Sequence, residues 1–138
     1  MKKTASQIEA DIYKYFKDKI DPLINGQTYR NGVRPLNSQK EDCVISFLTG
    51  LDGQYQTGVI NINIFVPMAK NNDNQYRKNF VRCDAIEQAL MPIIEDSKTA
   101  LKNYKLQLHQ MIQTFEDTDI KQFFINAKIK FRYNTFNN

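Results

Sequence analysis

At 138 residues, with 41% hydrophobic and 12% aromatic content, the chain suits one compact domain with its own core and needs no disulfide or metal staple. Its 25% charged residues argue against a disordered chain, and a net charge of +4 permits nucleic-acid contact without arguing for it. No segment approaches the ~20 apolar residues of a membrane span.

The opening MKKTASQIEADIYKYF lacks the apolar run of a signal peptide, so a soluble protein made in a cytoplasm is expected. Ser6 followed by Glu9 has the form of a capping box. Ile8, Ile12, Tyr15, Phe16 and Ile20 then recur at three- and four-residue steps, which predicts an amphipathic helix over about 6–20, ended by Pro22. NGQTYRNGVRP follows, with turn signals at Asn25-Gly26 and Asn31-Gly32, and reads as a turn-rich arm over 25–35.

EDCVISFLT predicts a strand over about 42–49, apolar on both faces and therefore central in its sheet. GLDGQYQTG, with three glycines, suits a hairpin loop into the strand at about 57–66. That second strand, GVININIFV, sets Ile60, Ile62, Ile64 and Val66 on one side, with Val59, Asn61, Asn63 and Phe65 on the other. The first row predicts the core. The second is too apolar for a solvated face and too rich in amides for a dry one.

AKNNDNQYRKN has little to bury and predicts a mobile loop over 68–75. A second helix is expected at about 75–91, with Tyr76, Phe80, Cys83, Ile86, Leu90 and Ile93 as its buried stripe and Pro92 ending or kinking it. The last third reads as a hairpin over about 105–133, turning at Glu116 to Asp119. Its second arm sets Ala127, Ile129, Phe131 and Tyr133 against Asn126, Lys128, Lys130 and Arg132. Helix, strands, helix, strands predicts an α+β two-layer sandwich, with a mainly antiparallel sheet of about four to five strands under two helices.

Catalytic signatures are scarce. His109 is the sole histidine and lies among glutamines, with no activating partner in its own strand. Glu116, Asp117 and Asp119 lack the glycine and closing glutamate of an EF-hand and read as a solvated turn. Cys43 and Cys83 form no C-x-x-C and read as two buried thiols. No catalytic residue, metal ligand set or cofactor is assigned, and a non-enzymatic protein is expected. Lys128, Lys130 and Arg132 form a basic strand face, able to follow phosphates as part of a small nucleic-acid-binding module. Such a row also keeps a strand soluble and guards an edge.

The element order, the arm ending in Arg34-Pro35, EDCVISFL, GVININIFVP, the long loop, FVRCDAIEQAL and the closing hairpin together resemble the tail-completion or tail-terminator proteins of long-tailed bacteriophages and prophages. The resemblance covers Ile8 to Tyr133 and is one of pattern rather than a single motif. It implies a structural subunit that forms a homo-oligomeric ring, commonly a hexamer, which stops tail-tube growth and meets the head connector. It further implies a place in the virion tail after assembly in the bacterial cytoplasm, with DNA met only in passage. Because DNA-conducting lumens are often acidic, Lys128 to Arg132 are expected outside the lumen or at a subunit contact. A ring subunit needs two surfaces that meet head to tail. The candidates are Val59, Asn61, Asn63 and Phe65 on the mixed strand face, Lys70, Asn71, Asn72, Asp73 and Asn74 in the loop, and Tyr29, Arg30 and Arg34 in the arm.

Overall fold

Two helices lie on one face of a six-stranded sheet in the computed structural model, which describes residues 1–136. The first, α1 (Ala5–Ile20), buries Ile8, Ile12, Phe16 and Ile20, the stripe expected from the period. Its cap differs from expectation. The Thr4 hydroxyl accepts from the Gln7 amide, and the Gln7 side chain accepts from the Thr4 N–H, so the box is T-x-x-Q. Glu9 is occupied elsewhere, accepting from Arg30 at 3.0 Å and from the Phe47 N–H. A 3-10 turn at Asp21–Leu23, containing Pro22, ends α1.

β1 (Thr28–Arg30) then runs parallel to β2 (Cys43–Leu51), which forms an antiparallel hairpin with β3 (Tyr55–Pro67). β3 is flanked on its far side by β8 (Gln122–Asn134) over its full length, Tyr55 to Pro67. The outer edge of β8 is shared by β6 (Tyr104–Leu108) and β7 (Gln113–Asp117), giving the order β1-β2-β3-β8-β6 with β7 also on β8. The sheet is thus mixed through β1 alone, and its sixth strand comes from a break within the first arm of the hairpin expected over 105–133. Leu108 and Gln113 pair with Ile129 and Asn126, so five steps on one strand face three on its neighbour. Residues 109–112 bulge out, and because the excess is even, Leu106 and Thr114 stay on the same face.

Two glycines assigned to the hairpin loop belong to strands. Gly50 and Gly58 pair across β2 and β3, and only Gly53 lies in the turn. A Cβ on Gly58 would stand 2.2 Å from the Thr49 carbonyl oxygen and 2.7 Å from the Phe131 ring. The gap they leave lets Phe47 and Phe131 meet at 5.7 Å between ring centres. Just before it, Leu48 is bulged out of register and 53% exposed.

The segment expected to be a mobile loop forms a small hairpin instead, β4 (Ala69–Lys70) with β5 (Tyr76–Arg77). Asn74 takes a left-handed φ of 63°, and the Asp73 carboxylate accepts from the Gln75 N–H and from Arg77. Local side-chain bonds of this kind order a turn that buries nothing. The second helix, α2 (Phe80–Ser97), starts later and ends later than its apolar pattern suggested. Asn79 caps it by accepting from the Arg82 N–H, which leaves Tyr76 outside the helix and Phe80 61% exposed. Its buried stripe is Cys83, Ile86, Leu90, Ile94 and Ser97, with Ile93 only partly covered. Pro92 neither ends nor removes the helix. It lies on the exposed side, where water can satisfy the carbonyl left without a donor.

The core is the inner sheet face: Cys43, Ile45, Ile60, Ile62, Ile64, Ile125, Ala127 and Ile129 are each 0% exposed. Cys43 and Cys83 are free and buried, and burial pushes both thiols up from their ordinary value. The native protein should therefore resist a thiol-specific disulfide reagent at pH 8 and titrate two thiols only once unfolded. Rapid labelling of either thiol under native conditions would place it at an accessible position.

Candidate functional site

Both helices cover the inner face, so the outer face of the sheet carries no second layer. Its side chains follow from register and fall into three bands. The first is aromatic: Phe65 pairs with Phe124, and Phe124 with Phe115, with ring centres 5.6 Å apart at each step. Phe115 is 41% exposed. The second is a row of amides, Asn63, Asn126 and Gln113, flanked by Val44 and Asn61. The Asn126 side-chain N–H donates to Asn63 at 2.7 Å and to Asn61 at 3.4 Å. The third is basic. Lys130 stands between Val59 and Gln107, and Arg132 between Thr57 and Lys105.

The amide row answers the problem posed by the mixed strand. The side-chain carbonyls of Asn61 and Asn63 find an internal donor in the nearly buried Asn126. Val59, Asn61, Asn63 and Phe65 are all half-buried by their own sheet.

The arm residues divide. Tyr29 stands beside Val44 on the outer face. Arg30 turns inward to α1, bonding Glu9 and Ser6. Arg34, expected on an assembly surface, is a tie within the fold: it donates to Asp42 at 2.9 Å and Gln122 at 2.9 Å, and its guanidinium lies 4.2 Å over Phe65. Lys70, Asn71, Asn72, Asp73 and Asn74 are exposed on the β4–β5 hairpin, apart from the three bands.

The basic band is where the structure adds most. Lys130 and Arg132 were evident from the alternation; Lys105 was not. It lies on another strand, and only the pairing of β6 with β8 sets it opposite Arg132. Lys105, Lys130 and Arg132 line a depression of about 490 Å³ with Thr57, Val59 and Gln107. Like charges placed directly across strands repel. Among the described residues none of Lys105, Lys128, Lys130 and Arg132 forms an ion pair, and Arg132 instead lies 4.2 Å over the Tyr55 ring. The band is therefore an unneutralised cationic surface suited to carboxylates or phosphates.

His109 lies exposed in the bulge between β6 and β7, where its backbone N–H donates to Lys128. Among the described residues no group of three or more histidine, cysteine or acidic side chains is placed to hold a metal ion, and no helix is long and apolar enough to cross a membrane.

The fold and this face define a small α+β protein with one sheet face left open. No protein-family profile and no curated protein match the chain. Nineteen chains among solved structures do. One of them covers 99% of this chain and 100% of its own at 9% identity, with a TM-score of 0.57. That likeness establishes a shared fold.

Proposed function

We propose that the chain is a non-enzymatic structural subunit of a phage or prophage tail, assembling into a ring that terminates the tail tube and joins it to the head connector. The observation that carries an assembly role is the uncovered sheet face. An antiparallel sheet exposed on one side normally alternates cleanly to polar residues. Here Val44, Val59, Phe65, Phe124 and Phe115 remain on the open side beside a cationic band without carboxylate partners among the described residues. Apolar and aromatic residues set beside polar ones are the composition of an interaction surface. The tail assignment rests on the sequence resemblance, and the role needs no cofactor. Multi-angle light scattering and negative-stain microscopy of the purified protein should reveal annular particles of one subunit number. A chain that stays strictly monomeric and never associates with tail tubes or connectors would overturn the proposal.

The cationic depression favours a second reading, a nucleic-acid-binding module. Four cations neutralising four phosphates give a slope of roughly −3.6 in log K against log salt. Anisotropy titrations with a labelled duplex oligonucleotide, at salt from about 50 to about 200 mM, measure it. Binding that ignores salt excludes this reading.

A further inference from the structure

The open sheet face lacks a helical layer, and the same chain carries a helix whose outer side lacks a partner. We infer that these two surfaces meet: the basic outer face of one copy receives the outer side of α2 from the next copy. The inference rests on the ring reading and specifies its contact.

Three observations select α2. First, its outer side is apolar as well as acidic. Val81 is 80% exposed and Met91 53%, with Ala85 and Pro92 exposed beside them. The outer side of α1 carries Gln7, Lys14 and Asp18. Second, the charges are complementary. Asp84 and Glu95 are exposed on that side of α2, and among the described residues the only cation paired to either is Lys98, 3.0 Å from Glu95 at the helix end. Opposite them would stand Lys105, Lys128, Lys130 and Arg132, which pair with no carboxylate among the described residues.

Third, the spacings agree. Asp84 and Glu95 are eleven residues apart, three turns on one stripe, and so about 16 Å along the axis. Lys128 and Arg132 are four residues apart on one strand face, about 14 Å. The 18 residues of α2 span about 27 Å, and the 13 of β8 about 44 Å, so the helix fits within the face. Seated there, the neighbour's α2 would place Val81 and Met91 against a face that includes Val44 and Val59. It would also turn a two-layer fold into a three-layer one at each contact. Because the two surfaces differ, the contact is heterologous and closes by rotation.

Two charge-reversed variants test this. One carries Lys105→Glu, Lys130→Glu and Arg132→Glu; the other carries Asp84→Lys and Glu95→Lys. All five positions are exposed, and circular dichroism checks that both variants fold. Sedimentation velocity is then run on wild type, on each variant alone and on their equimolar mixture. Each variant alone should need at least ~10-fold more protein than wild type to assemble, because like charges then face each other across every contact. The mixture should assemble again, since alternating subunits restore opposite charges at both kinds of contact.

Variants that assemble alone as wild type does, or a mixture as dispersed as its components, overturn the inference while leaving a ring intact. Wild type that remains monomeric overturns the ring reading itself. Wild type that stays monomeric yet binds an oligonucleotide, with binding abolished by the sheet-face substitutions, assigns the cations to nucleic acid and also overturns the inference.

Discussion

Replacing Asp42 with alanine lowers the unfolding free energy by about 3–5 kcal/mol, the cost of leaving one member of a buried ion pair alone. Asp42 is 1% exposed and accepts from the Gln27 N–H, the Arg34 guanidinium and the Ser38 hydroxyl. Its own carbonyl accepts from the Phe65 N–H at 2.7 Å. Arg34 in turn reaches Gln122, whose side-chain N–H donates to the Ser38 carbonyl at 2.7 Å. Without the carboxylate, the Arg34 guanidinium, whose side chain is 14% exposed, would lose its counter-charge and the loop around it would lose its anchor.

Space is tight as well: a Cβ on Gly26 would fall 1.9 Å from an Asp42 carboxylate oxygen, so this segment of the arm is seated directly on the acid. Chemical denaturation of Asp42→Ala against wild type measures the loss. Asp73→Ala breaks the exposed Asp73–Arg77 pair and serves as control, with an expected cost of about 0–1 kcal/mol. A cost as small for Asp42 as for Asp73 would show that the network contributes little.

Ile62→Ala lowers stability by about 2–5 kcal/mol, with wild-type secondary structure retained. Ile62 is 0% exposed at the middle of β3, set between Ile45 on β2 and Ala127 on β8. Truncation removes transfer free energy and leaves a cavity that the flanking strands cannot close without breaking their ladders. Equilibrium denaturation with the m-value monitored separates this from a change in cooperativity. The adjacent Asn61 points to the other side of the sheet, where Asn61→Ala removes one long amide contact and costs about 0–1 kcal/mol. Equal losses at the two positions would contradict the assignment of inner and outer faces.

The face assignment of β3 and β8 was legible because side-chain period in a strand is two and needs no knowledge of partners. The single first arm expected for the closing hairpin is in fact two strands, because a bulge of even excess between β6 and β7 leaves the side-chain alternation of residues 104–115 unbroken. The start of α2 was misplaced because Tyr76 and Phe80 fit its helical period. Asn79, by capping, leaves both outside the buried stripe. Of the candidate residues, Lys130 and Arg132 could be read from their own strand, whereas Lys105 required the register of a different one.

By itself the sequence determined what is local: the apolar stripe of α1, the inner row Ile60, Ile62, Ile64 and Val66, the basic row of β8, and from these the α+β class. Each follows from backbone periodicity acting on consecutive residues. Only the tertiary structure decided which distant groups meet. It placed Asn126 as the partner of Asn61 and Asn63, drew Arg34 into the fold with Asp42 and Gln122, and gathered three cations around one depression. Those outcomes depend on strand order and cross-strand register, which the burial of the whole sheet sets and which no single segment carries.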